Sequence, residues 1–276
     1  MLLNKKIHIM GMIFILWFLS FKPGFTKMPE QKLDKKKITL TVIFDNIAYL
    51  SDLTTDWGFS CVIQTDKDTV LFDTGSRGKI LLQNMVKLKI DPQSIHSVVI
   101  SHTHWDHLGG LDDFLAINPH VEVYIPNSTS QEDEKKIAAR GVRSIRVELS
   151  HRIATGIFST GELAGEMPEQ SIVIQTARGL VVVTGCAHPG IVNILSQVQS
   201  LFPREKINLA MGGFHLKSFS NEKVEQIIDL IQGLGIQQIA PSHCTGEAAI
   251  AIFSQRYQEN FIQSGVGRRM VLEAKD

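Results

Sequence analysis

Cysteine is scarce in this chain of 276 residues. Cys61, Cys186 and Cys244 form an odd, widely spread set, which excludes a disulfide framework but is compatible with a single Cys186–Cys244 bridge. Net charge is also missing. The 28 lysines and arginines balance 28 aspartates and glutamates, so charge favours neither a nucleic acid nor an anionic membrane surface as a partner. The basic residues are dispersed and lack interleaved aromatics, which again argues against nucleic-acid binding. There is no internal repeat and no long low-complexity tract. No Gly-x-Ser-x-Gly elbow occurs, so serine nucleophilic catalysis has no support. What remains, 43 % hydrophobic and 20 % charged residues, describes a globular protein of one large domain or two modest ones. Composition is silent on oligomeric state.

One unbroken apolar run stands apart from the rest. Residues 9–19 follow Lys5 and Lys6 as a signal h-region follows its basic n-region, and the run is shorter than the roughly 20 residues a spanning helix needs. Gly24-Phe25-Thr26 offers a weak cleavage site. The expectation is a signal peptide or uncleaved membrane anchor over 1–27, with 28–276 as the exported domain, periplasmic or in the cell envelope. Any membrane contact runs through that segment alone, and a lipoprotein anchor is excluded because no cysteine follows it.

The remainder alternates between two periodicities. Residues 38–44, 58–64 and 69–72 read as strands, with a polar hairpin turn at 65–68. Residues 78–88 have helical spacing, and Asp91-Pro92 starts a short helical piece before a strand at 98–101. A helix at 110–117, a strand at 121–125 and a charged helix at 128–139 follow. Strands are expected at 145–149 and 152–158, then a hairpin of 171–176 with 179–184. The end of the chain reads as helix 191–201, strand 207–211, helix 221–234, strand 237–240, helix 247–257 and strand 270–272. Two β-rich halves, each covered by helices on one face, make an α+β fold; packed sheet to sheet they give a four-layer α/β/β/α sandwich.

The chemistry concentrates in His102-Thr103-His104-Trp105-Asp106-His107-Leu108-Gly109-Gly110, on the loop expected after the strand at 98–101. Imidazole and carboxylate are ligand types that zinc prefers, and alternate residues leaving a strand can face one centre. Three further strand ends carry ligand-type side chains: Cys186 and His188 after 180–183, His215 after two glycines, and His243-Cys244 after 237–240. Loops at strand ends are where α/β sheets build their sites. Asp73-Thr74-Gly75 ends another strand and suits a turn that braces a neighbouring loop. Trp105 is expected to pack under the cluster's loop, and Lys217 to be a solvated surface lysine.

Phe72-Asp73-Thr74-Gly75, the His-x-His-x-Asp-His cluster with its two glycines, and the late strand-end histidine resemble the metallo-β-lactamase superfamily. Within it, Thr184-Gly185-Cys186-Ala187-His188-Pro189-Gly190, Gly212-Gly213-Phe214-His215-Leu216 and Pro241-Ser242-His243-Cys244-Thr245-Gly246 are similar to the branch of 7,8-dihydropterin-6-ylmethyl-4-(β-D-ribofuranosyl)aminobenzene-5′-phosphate synthase-like proteins. The resemblance covers roughly residues 38–273 and implies a metallo-β-lactamase-like fold with two divalent ions. His102 and His104 would hold the first ion, and Asp106, His107 and His243 the second. Zinc is the first expectation, with iron or manganese as alternatives, because availability decides occupancy as much as affinity does. The implied chemistry is hydrolysis by a metal-bound hydroxide.

The chain departs from the superfamily pattern in its middle. Where most hydrolytic members carry a bridging aspartate after a strand, this sequence has Cys186, either a ligand or a small residue packed under the site. His188, two residues on, is the candidate for the missing nitrogen on the first ion. His215 is a further ligand, or, with Asp106 in the catalytic set, a general acid for the leaving group, or else a purely structural histidine. Cys244 reads as structural or as a distant ligand. The leading function is a metal-dependent hydrolase of a small-molecule ester, lactone, amide or phosphoester. The alternatives are a pterin-type synthase of the same fold and a non-hydrolytic redox or sensing protein in which Cys186 changes state.

Overall fold

A computed structural model describes residues 36–275 of the chain, and the expected leader at 1–27 lies outside them. The chain opens with β1 (Lys37–Phe44), β2 (Ser60–Gln64) and β3 (Thr69–Phe72). Next come α1 (Gly78–Lys87), β4 (Ser97–Val99), α2 (Trp105–Leu108), α3 (Leu111–Ile117), β5 (Glu122–Pro126), α4 (Gln131–Ala139) and β6 (Ser144–Val147). The second half contains β7 (Leu149–Ala154), β8 (Ile157–Gly161), β9 (Ile172–Thr176), β10 (Gly179–Thr184), α5 (Ile191–Leu201) and β11 (Ile207–Gly213). It closes with α6 (Asn221–Gly233), β12 (Gln238–Ser242), α7 (Glu247–Tyr257) and β13 (Arg269–Glu273). Where the helices begin follows local chemistry. Ser130 and Ser220 accept the N–H groups of Asp133 and Lys223, capping α4 and α6.

Two sheets result, with strand orders β13-β1-β2-β3-β4-β5-β6 and β12-β11-β10-β9-β8-β7. Successive strand residues point to opposite faces, and this sorts the apolar side chains into three cores. Leu40, Val42, Phe72, Val181, Val183, Leu209 and Met211 meet between the sheets. Ile43, Val62, Leu71 and Val98 face Leu81, Met85, Phe114 and Ile137 of the first helical layer. Leu180, Val182 and Ala210 face Ile194, Ile228 and Phe253 of the second. Each fully buried aliphatic side chain contributes roughly 1.5–3 kcal/mol. An aspartate at Val183 would put an unpaired charge between the sheets. The expected α/β/β/α sandwich is the architecture observed.

Two local expectations change. The expected strand at 152–158 runs across a turn at Thr155-Gly156; the observed strands are β7 and β8, paired antiparallel. β6 and β7 lie at the edges of different sheets, so the chain changes sheet at Glu148. The last strand, β13, pairs with β1 in the first sheet. Among the described residues no helix is long and apolar enough to cross a membrane.

The topology places the site. β3 through β6 run parallel, as do β10 through β12, so β3, β4, β10, β11 and β12 all release loops at C-terminal ends. β1 reaches β3 through two antiparallel pairings and therefore ends at the same edge as β3. Asp45-Asn46, Asp73, Ser101-His102, Cys186, His215 and His243 all follow such ends.

Candidate metal centre

The histidine cluster is not all loop. His102 and His104 lie on the extended segment after β4, while Asp106 and His107 ride on α2, the short helix that turns their side chains back into the protein. Close packing of the Asp73 loop fixes this turn. The Thr74 N–H and hydroxyl both donate to the His107 carbonyl at 2.8 Å. A Cβ on Gly110 would stand 2.2 Å from the Thr74 carbonyl oxygen, so the second glycine of the motif is required by backbone approach. Trp105 does not pack beneath the loop as expected; it is 63 % exposed, because α2 turns its other face, with Asp106 and His107, inward.

Asp73 braces the cluster from below. Its Oδ1 accepts the Ser101 N–H at 2.6 Å and its Oδ2 the Ser101 hydroxyl at 2.7 Å. The same Oδ2 lies 2.7 Å from His107 Nδ1, and Ser101 Oγ lies 2.9 Å from His102 Nδ1. Carboxylate partners of this kind fix ring orientation and leave the opposite nitrogen aimed at the centre. Burial alone would lower the His107 pKa, but Asp73, aided by Asp106 and Glu169, holds it up at about 9. An incoming cation therefore has to displace a proton there.

The predicted ligands converge in two overlapping groups that meet at Cys186. Asp106, His107, Cys186 and His243 each bring one ligand atom within 4.8 Å of the others, and His102, Cys186 and His188 do the same. Cys186 Sγ is 3.2 Å from His107 Nε2, and His243 Nε2 is 3.3 Å from Asp106 Oδ2. His104 joins through its Nδ1, 3.1 Å from His102 Nε2, with its ring centroid 4.8 Å from that of His188. His215 stands apart from both groups. Its ring is 4.3 Å from that of His188, but its ligand atom groups with Cys186 and Cys244. All three cysteines are free thiols, so the Cys186–Cys244 bridge is not formed.

The donor set fits a divalent metal. The Nε2 atom of His188 is buried and makes no hydrogen bond, a costly arrangement for a polar atom unless something is bound to it, and that of His243 faces only the Asp106 carboxylate. Burial and neighbouring imidazoles pull the His188 pKa down to about 3, so its nitrogen is free of a proton at neutral pH. Burial would raise the Asp106 pKa, yet His243 and His107 bring it to about 2, leaving an anionic ligand. Imidazole, carboxylate and thiolate together suit zinc-type cations.

Two supports carried no motif in the sequence. Glu169 is fully buried; its Oε1 accepts the N–H groups of Gly185, Cys186 and Ala187 at 3.1, 2.9 and 2.9 Å, and its Oε2 that of His188 at 2.8 Å. One carboxylate thus holds the whole loop that presents Cys186 and His188. Asn46 Oδ1 lies 2.8 Å from His243 Nδ1, and only its place after a strand end could have pointed to it. Four residues at the site, Asp73, Ala187, His215 and His243, have left-handed backbone with φ of 57, 62, 55 and 50°, a conformation that non-glycine residues seldom adopt.

Two cavities flank the centre. One of about 370 Å³ is lined by His243, Asn46, Trp57 and Lys217. The other, of about 360 Å³, is lined by His188, His215, Phe214 and Glu166. Lys217 is exposed, as expected, and its Nζ sits 4.6 Å above the Trp57 ring, which in turn lies 4.9 Å from the His243 ring.

The chain is similar to known proteins in sequence and fold. Residues 57–135 match the sequence model of the Metallo-beta-lactamase superfamily. The chain is 29 % identical over 288 residues to 7,8-dihydropterin-6-methyl-4-(beta-D-ribofuranosyl)-aminobenzene-5′-phosphate synthase of Methanocaldococcus jannaschii, covering 86 % of this chain and 97 % of that protein. Among solved structures it is similar to Tm1679, described as a metal-dependent hydrolase of the beta-lactamase superfamily. The TM-score is 0.70 at 28 % identity, covering 87 % of this chain and 100 % of that one. YhfI from Bacillus subtilis, at 14 % identity and a TM-score of 0.65, shares the fold over 86 % of this chain and 100 % of its own. Residues 57–135 therefore match the superfamily's sequence model, and the chain has the metallo-β-lactamase fold.

Proposed function

We propose that the protein is a metal-dependent hydrolase whose centre holds two divalent ions, zinc first among the candidates. The observation that carries this reading is the convergence on Cys186 of His102 and His188 from one side and Asp106, His107 and His243 from the other, with His104 beside His102 and His188. Bound there, a pair of divalent cations would lower the pKa of coordinated water from about 15.7 toward 7 and neutralise developing negative charge. Asp73, Ser101 and Asn46 orient the imidazoles, and Glu169 holds the Cys186–His188 loop. His215, exposed beside His188 at the rim of a cavity, would give a proton to a leaving group, an effect worth on the order of 10²–10⁴-fold. The substrate is a small ester, lactone, amide or phosphoester that fits the flanking cavities. Exported placement goes with this reading, since the apolar run at 9–19 precedes the domain.

A pterin-type synthase is the second reading, and the likeness to the Methanocaldococcus jannaschii enzyme over most of the chain favours it. One experiment separates the two. Purified protein is analysed for metal, then assayed against a panel of ester, lactone, amide and phosphodiester substrates, alongside a pterin-transfer assay. Hydrolysis that Asp106→Ala or His107→Ala abolishes together with one bound ion supports the hydrolase. Pterin transfer without hydrolysis supports the synthase, and full hydrolysis by a metal-depleted variant overturns the metal-dependent mechanism.

A further inference from the structure

Cys244 takes no part in the centre described above, yet it lies beside it with a second thiol and an imidazole. We infer that Cys186, Cys244 and His215 form a separate, sulfur-rich cation site that adjoins the histidine-rich centre and shares Cys186 with it. One ligand atom from each of the three residues lies within 4.8 Å of the other two. Both thiols are buried, and His215 closes the site from the solvent side.

The backbone around the site is shaped for this meeting. Each donor is, or adjoins, a residue with left-handed φ: Ala187 follows Cys186, His215 is itself left-handed, and His243 precedes Cys244. Residue 213, beside the Cys244 thiol, has no side chain. A Cβ on Gly213 would stand 2.3 Å from the Gly185 carbonyl oxygen, 2.7 Å from Cys244 Sγ and 3.2 Å from the Cys186 Cα, so any other residue would have to shift this backbone and the Cys244 thiol. The Cys244 thiol approaches the Cys186 carbonyl oxygen at 3.5 Å and shares hydrogen bonds with the Cys186 thiol and with His215, so the three donors already face one another.

Chemistry selects the ion. Two thiolates and one imidazole are a soft set, matched to Zn²⁺, Cd²⁺ or Cu⁺ and unsuited to Mg²⁺ or Mn²⁺. Binding releases the two thiol protons to solvent, since thiolate is the ligand form. An ion here draws Cys186 away from the histidine-rich centre and occupies His215. Excess thiophilic metal then raises metal content while depressing any activity of the neighbouring centre. The site itself does not depend on which reaction that centre performs.

The test uses full-length protein, stripped with a chelator under a thiol-free reductant and reloaded with Cd²⁺ alone. X-ray absorption at the cadmium edge counts sulfur neighbours in the wild type, so no variant needs to fold for the answer to stand. The expected result is an ion with two sulfur neighbours. In Cys244→Ser that ion should be lost or keep one sulfur, and the thiolate-to-cadmium charge-transfer band should fall to that of a single thiolate. His215→Ala should weaken this ion by at least the roughly 10–100-fold that losing even an outer-shell partner costs. His102→Ala should leave the two-sulfur ion in place. Cadmium with no more than one sulfur neighbour in the wild type, or a Cys244→Ser variant with an unchanged band, would overturn the site. Failure of the hydrolase reading would show in the substrate panel and leave the sulfur count untouched.

Discussion

Nδ1 of His107 lies 2.7 Å from Oδ2 of Asp73, and that contact aims the opposite nitrogen of the ring at Cys186. Because Asp73 also holds Ser101 against His102, one carboxylate sets the orientation of a histidine in each half of the centre. Asp73→Asn replaces an acceptor oxygen with an amide donor and disturbs both. Metal affinity should fall roughly 10–100-fold, measured by competition with a chromophoric chelator, with far-UV circular dichroism unchanged. Wild-type affinity in this variant would show that Asp73 has no role in aiming the rings.

Glu169→Gln tests the other brace. The glutamine oxygen can still accept three of the four N–H groups, but its amide nitrogen then faces an N–H donor with nothing to receive it. Leaving a buried donor unmet costs about 1–3 kcal/mol, so the denaturation midpoint in urea should drop. The affinity of the ion served by His188 should drop with it, while Glu169→Asp, which is too short to reach all four groups, should fare no better.

The sharing of Cys186 makes a prediction about stoichiometry. Cys186→Ala should weaken every ion the protein binds, since that thiol belongs to each ligand group. His188→Ala should loosen the ion held with His102 and His104 while sparing the one held by Asp106 and His107, and His243→Ala should do the reverse. Elemental analysis after dialysis against graded chelator reads all three. Equal losses in the two histidine variants would mean a single ion rather than a pair.

Tyr257 gives a prediction away from the site. Its phenol oxygen is buried without a partner, and burial pushes its pKa up to about 12 against a smaller opposing effect of Arg256. An unfolded tyrosine ionises near 10. The folded state keeps the neutral phenol, so this contribution is intact below about pH 10 and is lost as pH rises toward 12. Tyr257→Phe should remove that part of the alkaline slope. It should also match or exceed wild-type stability at neutral pH, because it deletes an unpaired hydroxyl. Urea denaturation at pH 8 and pH 11 checks both.

The sequence was most informative where chemistry sits in side chains at strand ends. His102, His104, Asp106 and His107 form a dense local pattern, and Cys186, His188 and His243 each follow an apolar strand, so their convergence was legible. Glu169 was not, because its four partners are backbone N–H groups that leave no residue signature at 185–188. The direction in which Trp105 faces depends on α2, a turn of helix too short to show periodicity. β13 was visible as a strand, but its pairing with β1 joins opposite ends of the domain, and no local pattern encodes that.

The four left-handed residues at the site have a consequence for motion. A non-glycine residue held in a sparsely populated backbone region costs of order 1–3 kcal/mol, and Asp73, Ala187, His215 and His243 crowd such positions onto one edge of the sandwich. Opening the loops there releases strain, whereas opening the strands between the sheets exposes aliphatic core. The edge that carries the chemistry is therefore the part of the domain that should loosen first. Amide hydrogens of the loops after β11 and β12 should exchange by local fluctuation, well before those of the strands that bear them, while Glu169 protects those of the loop after β10.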